Sequence, residues 1–327
     1  MRQTEFTFVN GREQSLVGTE FLPDSAPWAT LIWHHGVCEH SGRYTPVFKH
    51  LADAGVAVYT YDVYGHGRSE PKEDNDRCLI TDYNYLVDDL YTFVGVVEQR
   101  VGGRLPAAST FLGGQSMGGL VVALACLRCQ ERWAGLVVFS GAMGVVWTYV
   151  LRAQAAVGNL LSSLIPRQKM VPAVKPENLH PDPAVVAAFK EDPLIFHGDL
   201  RVATGNELLR AMKHLAKHRS KISLPLYAVH GTKDAVTSLD AIEEFTGGVS
   251  SKELQLVKVE GGYHEMLMGE ERIGSADGIM AWMKQRLERP WQQQQEEQQE
   301  DGQQPQDGAG VAAAEHACGG VEGAAAE

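Results

Sequence analysis

The pentapeptide Gly114-Gln115-Ser116-Met117-Gly118 directly follows the apolar run Thr110–Gly113 and opens the helix-forming stretch Met117–Arg128. A Gly-x-Ser-x-Gly string between a strand and a helix demands a sharp turn that lifts the serine hydroxyl clear of a sheet edge. Glycines two before and two after the serine permit that turn, because a Cβ at either place would collide with neighbouring backbone. Such a turn would set this serine at a strand end, with helices layered against a sheet. Short Gly/Ser strings also arise by chance, so the flanking pattern has to carry the reading.

That pattern is regular. Strand-like runs occur at Glu5–Val9, Ser15–Phe21, Ala29–His34, Val56–Tyr61, Phe111–Gly114, Leu136–Ser140, Leu226–His230 and Leu254–Val259. Helical stretches fall between many of them: Val47–Ala54, residues 83–101, Met117–Arg128, Glu207–His218 and a closing helix within Glu271–Arg289. Within residues 83–101, Leu86, Leu90, Phe93, Val94, Val97 and Val101 recur at spacings of three and four, the stripe of an amphipathic helix. Strands alternating with helices imply an α/β fold with a mostly parallel sheet covered on both faces.

The alternation breaks between about Ala142 and Gly205, where apolar helix, a loop punctuated by Pro166, Pro172, Pro176, Pro181 and Pro183, and a short helix at Ala184–Lys190 intervene. An insert at this point stands over the carboxyl edge of the strands, where ligands of α/β sheets bind, so it reads as a lid on a domain spanning residues 1–289. Its stretch Met143–Ile165 is long enough to cross a bilayer. Arg152 near its midpoint would cost roughly 2.5–3.5 kcal/mol there, which favours a cap helix with a greasy face.

Charge narrows the function classes. The formal net charge is −12, and residues 291–327 hold eight acidic residues without Lys or Arg. The rest of the chain is only mildly acidic, which excludes nucleic-acid binding by simple electrostatics. The segment 290–327, rich in Gln, Glu, Gly and Ala and lacking hydrophobic periodicity, reads as a disordered acidic tail. Five cysteines, Cys38, Cys78, Cys126, Cys129 and Cys318, are odd in number and suggest no disulfide framework. With Glu5 already inside a strand pattern near the start, a reducing, cytoplasmic compartment is expected.

Two later loops supply the rest of a serine hydrolase. The strand Leu226–His230 runs into Gly231-Thr232-Lys233-Asp234, and Leu254–Val259 runs into Glu260-Gly261-Gly262-Tyr263-His264. Ser116, Asp234 and His264 thus arrive in the order and at the strand ends that a nucleophile, an orienting carboxylate and a base require. Donors for the developing oxyanion are expected in the backbone N–H groups of Met117, next after the serine, and Val37, at the end of the Ala29–His34 strand. Histidines 34, 35, 40 and 66 lie on two loops without ligand partners at metal spacing, so neither a metal nor another cofactor is expected. A carboxylate at the elbow would suit epoxide or haloalkane hydrolysis; here the position is Ser116.

The combination of His35-Gly36, Glu39 through Tyr44, Asp62 through Ser69, Gly114 through Gly119, Asp192 through Ile195 and Gly262-Tyr263-His264 resembles the monoglyceride lipases and their lysophospholipase-like relatives. The likeness runs over roughly residues 5–289. It implies an eight-stranded α/β-hydrolase fold with a helical lid, a long acyl slot under the lid and a narrower exit for a small alcohol. Within it, Glu39 and Arg43 match positions at the polar alcohol end, although a salt-bridged loop brace would explain them equally well. Cys38 stands where relatives commonly have Gly, and Phe189 where some carry a lid Tyr.

The reading that follows is a cofactor-independent ester hydrolase converting monoacylglycerol to fatty acid and glycerol. Leu151, with Trp147, Leu160, Leu161, Leu164 and Ile165, would line the acyl path at about 25 cal/mol per Å² buried, and the same face could rest transiently on a membrane surface. A lysophospholipase, a broader carboxylesterase or an acyltransferase is the near alternative. An inert hydrolase-fold binding module is the distant one.

Overall fold

The computed structural model describes residues 1–72, 76–172 and 174–301. Its strands are β1 (Arg2–Val9), β2 (Ser15–Leu22), β3 (Ala29–His34), β4 (Val56–Asp62), β5 (Thr110–Gln115), β6 (Gly135–Phe139), β7 (Lys169–Val171), β8 (Leu200–Arg201), β9 (Leu226–Gly231) and β10 (Leu254–Val259). The helices are α1 (Thr45–Asp53), α2 (Asn84–Val101), α3 (Met117–Arg128), α4 (Tyr149–Ala156), α5 (Gly158–Leu164), α6 (Pro183–Glu191), α7 (Val202–His218), α8 (Leu239–Gly248) and α9 (Arg272–Asp301). The chain divides into two units, Met1–Glu288 and Arg289–Glu327, and the site lies in the first.

Eight of the strands form one sheet in the order β1-β2-β4-β3-β5-β6-β9-β10. From β4 to β10 the neighbours pair in parallel, while β2 runs antiparallel to both β1 and β4. Parallel pairing brings the carboxyl ends of β3, β5, β6, β9 and β10 to one edge, where their loops can meet. Strand β5 is buried at every position, as a central strand covered on both faces must be.

One face carries α2, α3, α7 and α8 residues around Leu90, Phe93, Leu120, Leu215 and Phe245. The other carries α1 and α9 against Phe48, Trp33, Phe139 and Trp282. Helix α3 is buried without interruption from Met117 to Cys126, so it is apolar all round and sits at the centre of its layer. Each of its Leu and Val side chains contributes on the order of 1.5–3 kcal/mol by leaving water. Helix α2 keeps the expected stripe and ends at Gly102, whose φ of 75° is the left-handed stop that glycine accepts.

The insert folds as two short helices, α4 and α5, then the antiparallel pair β7/β8 with α6 between. The break at Val157 between α4 and α5 divides the apolar stretch, and among the described residues no helix is long and apolar enough to cross a membrane. The tail expectation over 290–327 falls from residue 302 onward outside the described residues. Its first stretch to Asp301 belongs to α9; from Gln292 to Glu300 it is all Gln and Glu, which have good helix propensity.

One expectation is corrected. Cys38 and Cys78 are joined by a disulfide, with Cα atoms 5.7 Å apart and 40 residues between them in sequence. An odd cysteine count excludes a fully paired framework, but it does not exclude one pair that loop packing brings together. Cys126 fits the packing role expected of it, buried in α3 with its thiol pKa raised by desolvation.

Candidate active site

Ser116 links β5 to α3 with φ 55° and ψ −120°, a conformation unusual for a residue bearing a side chain. It is held by Ser116 N–H donating to Phe139 O at 3.0 Å and by Ala142 N–H donating to Ser116 O at 2.9 Å. The flanking glycines are sterically required. A Cβ on Gly114 would overlap the backbone of Gly118, and one on Gly118 would overlap the carbonyl of His34.

His264, five residues past β10, donates through Nδ1 to Asp234 Oδ2 at 2.8 Å. That tautomer leaves Nε2 with its lone pair. Asp234, three residues past β9, is fully committed. Its Oδ1 accepts from Val236 N–H at 2.8 Å and Thr237 N–H at 3.0 Å, and its Oδ2 also accepts from the Thr237 hydroxyl at 2.7 Å. Burial pushes the Asp234 carboxyl up, but the His264 charge and these donors outweigh it and hold the pKa down at about 2. Burial likewise lowers His264, yet the Asp234 charge and hydrogen bond win, and its pKa is raised. Ser116 and His264 face one cavity together, with Gly36, Val37 and Glu265 also in its wall.

The serine stands where two cavities meet. The larger, about 450 Å³, is lined by Met117, Trp147, Leu151, Leu161, Met170 and Val202, largely from the insert and the start of α7. The smaller, about 220 Å³, carries Glu39, Arg43, His264, Glu265 and Phe189. Val37 lines both. Leu151 therefore lines the larger cavity, and Phe189, Glu39 and Arg43 line the smaller one.

For Glu39 and Arg43 the geometry favours the brace. Glu39 Oε1 accepts from Gly36 N–H at 2.6 Å and from Tyr44 OH at 2.5 Å, while Arg43 Nη1 reaches Glu39 Oε2 at 2.6 Å. Arg43 also grips Glu265 through both nitrogens, at 2.6 and 2.7 Å, and its guanidinium lies 5.1 Å from the Phe189 ring centre. Glu39 thus fastens the loop that carries Val37, and Arg43 neutralises two buried carboxylates.

The buried histidines around the site, His34, His35, His66 and His230, are scaffolding. His35 Nδ1 donates to Gly36 O at 2.7 Å, leaving Nε2 to accept Val63 N–H at 2.9 Å, which only a neutral ring can do. Burial depresses His35 to about 4, and His34 and His66 to about 3. His230 lies buried 3.5 Å from Asp234 Oδ2, behind the carboxylate.

Sequence reasoning missed Thr237 and Glu265. Glu265 directly follows His264, and Thr237 lies three positions past Asp234, where an Asp side chain commonly accepts a backbone N–H. Nothing in the spacing of Glu265 and Arg43, 222 residues apart, announces their pairing.

The family model described as serine aminopeptidase S33 (Hydrolase_4) matches residues 25–272. The chain belongs to this family. As a Hydrolase_4 protein it is similar to a monoacylglycerol lipase of Mycolicibacterium smegmatis, 29% identical over 290 residues, covering 87% of this chain and 98% of that one. It is also similar to a caffeoylshikimate esterase of Arabidopsis thaliana, 30% identical over 277 residues, covering 81% and 79% of the two chains. In fold, the Hydrolase_4 chain matches a soluble variant of monoglyceride lipase from Saccharomyces cerevisiae with a TM-score of 0.76, covering 88% of this chain and 95% of that one at 17% identity. It is an α/β-hydrolase of the monoglyceride lipase type.

Proposed function

We propose that this protein is a serine carboxylic-ester hydrolase whose substrate is a monoacylglycerol, cleaved to fatty acid and glycerol. The observation that carries the reading is the place of Ser116 at the junction of a larger apolar cavity and a smaller one that carries Glu39, Arg43 and Glu265. An ester bond held at that junction would put its acyl chain along Leu151, Leu161 and Trp147 and its alcohol beside Glu39 and Arg43. The relatives named as monoacylglycerol lipases support the same substrate class.

In this mechanism Ser116 Oγ attacks the acyl carbonyl while His264 Nε2 takes its proton. Asp234 holds the tautomer and stabilises the imidazolium that forms. The backbone N–H groups of Val37 and Met117 receive the developing oxyanion, each contributing about 2.7–4 kcal/mol of transition-state stabilisation. The protonated His264 then delivers its proton to the departing glycerol oxygen. Water, activated by the same imidazole, hydrolyses the acyl-enzyme.

The insert acts as a lid over the apolar cavity. Its outward side chains, Tyr149, Leu160 and Leu164, are exposed and suit a transient contact with a lipid surface. The family description names an aminopeptidase, but an amino terminus needs an unengaged carboxylate. Glu39 and Glu265 are both taken by Arg43, which favours a neutral polyol.

A substrate panel tests the proposal. Purified protein should turn over long-chain monoacylglycerol faster than lysophosphatidylcholine and faster than acetyl or butyryl p-nitrophenyl esters. A strong preference for acyl chains of two to four carbons, or for the phospholipid, would overturn the assignment.

A further inference from the structure

The loop that carries Val37 is cross-linked at its next residue. Cys38 has a φ of 65° and Cys78 a φ of 56°, left-handed conformations that side chains rarely adopt without restraint. The bond between them ties the loop to a segment anchored in turn to the insert and α7. Cys78 O accepts from the Thr204 hydroxyl at 2.7 Å, Arg77 donates to Leu194 O at 2.7 Å, and Arg201 donates to Arg77 O at 2.9 Å. On the near side Phe196 N–H donates to Cys38 O at 2.9 Å.

The two sulfurs differ in access. Cys38 is only partly buried and lines the smaller cavity, whereas Cys78 is fully buried. His66 Nε2 lies 3.6 Å from Cys78 Sγ, and His66 Nδ1 already donates to Tyr64 O at 2.9 Å. A neutral His66 therefore offers an acceptor to a hydrogen that Cys78 carries only as a thiol.

We propose that the Cys38–Cys78 bond is a positioning element for the oxyanion loop, and that its exchange with a dithiol reductant slows acyl transfer at Ser116. In the exchange a reductant thiolate attacks Cys38 Sγ, the S–S bond breaks, and Cys78 leaves as a thiolate that takes up a proton from solvent, the resulting thiol hydrogen-bonding to His66 Nε2. The second thiol of the reductant then resolves the mixed disulfide. The products are two cysteine thiols and an oxidised reductant, with two electrons transferred. The released Cys38 keeps its backbone tie to Phe196 but loses its covalent tie to the Cys78 segment, which loosens the loop that carries the Val37 N–H.

The inference rests on the hydrolase reading, so the test uses a short p-nitrophenyl ester and a fluorophosphonate probe, neither of which depends on monoacylglycerol as substrate. Full-length protein is compared after oxidised dithiothreitol and after reduced dithiothreitol, with the Cys38–Cys78 linkage followed by peptide mapping. Reduction should lower kcat about tenfold with KM nearly unchanged, short of the roughly 10²–10³-fold expected for outright loss of a donor. Reoxidation should restore it. Cys38→Ser and Cys78→Ser should each show the low kcat without reductant and no response to it, with folding checked by circular dichroism.

Equal kcat in mapped disulfide and dithiol forms overturns the proposal, as does failure of the two cysteines to link under the oxidant. A loss confined to melting temperature, or a change in KM alone, also overturns it. Absence of probe labelling in both redox states removes the hydrolase reading beneath it, and the proposal with it.

Discussion

Asp234 Oδ2 and His264 Nδ1 lie 2.8 Å apart, and among the described residues the other hydrogen bonds to that carboxylate come from Val236 and Thr237. A carboxylate held on all sides has one orientation, and so has the imidazole it grips. The pair links the ends of β9 and β10, two neighbouring parallel strands, so the sheet itself sets the distance.

The pH dependence follows from that pair. His264 must be neutral to accept the serine proton, and its pKa is raised above its ordinary 6.5. The kcat/KM profile should therefore fall on the acid side with a midpoint above about 6.5. In Asp234→Asn the raising charge is gone, so the midpoint should move down, and kcat should drop by about 10⁴-fold. A midpoint unmoved in that variant would separate the limb from His264.

The same pair acts on stability in two windows. The Asp234 pKa is depressed to about 2, so its contribution is present above the unfolded value near ~3.9 and is lost as pH falls through the folded one. The raised His264 contributes fully below its unfolded pKa of about 6.5 and loses that contribution as pH rises through the folded value. Urea midpoints measured from pH 2 to 9 should thus decline at both ends. Asp234→Asn should flatten both slopes.

Thr237 donates its hydroxyl to Asp234 and lies 3.3 Å from His264 Nδ1. Thr237→Val keeps the shape and removes that donor from a buried carboxylate, which should destabilise the fold by roughly 1–3 kcal/mol. It should also lower kcat more than it raises KM, as a positioning role requires. Parallel measurement of kcat, KM and the denaturation midpoint checks both effects.

Arg43 is the counterion of two carboxylates that are only 6% and 4% exposed. Arg43→Ala should leave both uncompensated and cost about 3–5 kcal/mol, seen as a clear fall in Tm. A variant with unchanged Tm and only a raised KM would make Arg43 a substrate contact and not a brace.

Leu151 lines the apolar cavity beside Trp147 and Leu161. Leu151→Trp should shorten the preferred acyl chain, lowering kcat/KM for sixteen- to eighteen-carbon monoacylglycerols more than for eight-carbon ones. A uniform loss across lengths would put Leu151 outside the acyl path.

Much of this was legible from residue order: the central strand Ala29–His34 is buried throughout and reads as an apolar run, and the partly exposed edge strand Leu254–Val259 still carries Leu or Val at four of its six positions. Ala29–His34 and Leu254–Val259 were found to the residue, as was helix Met117–Arg128. The serine, aspartate and histidine were legible since each sits just past such a run. The Cys38–Cys78 bond was not, because the two approach only through the packing of loops 40 residues apart. Glu265 was hidden for the same reason, its partner Arg43 lying on a loop at the far end of the chain. The division of the insert's apolar stretch into α4 and α5 occurs at Val157-Gly158, where a lone glycine inside a greasy run gave only a weak signal.

The most direct measurement is the site of covalent capture by a fluorophosphonate, read by peptide mass spectrometry. A single adduct on Ser116 is expected, absent in Ser116→Ala and strongly slowed in His264→Ala. An adduct on another serine, or labelling of Ser116 at the same rate without His264, would contradict the proton relay on which the hydrolase mechanism depends.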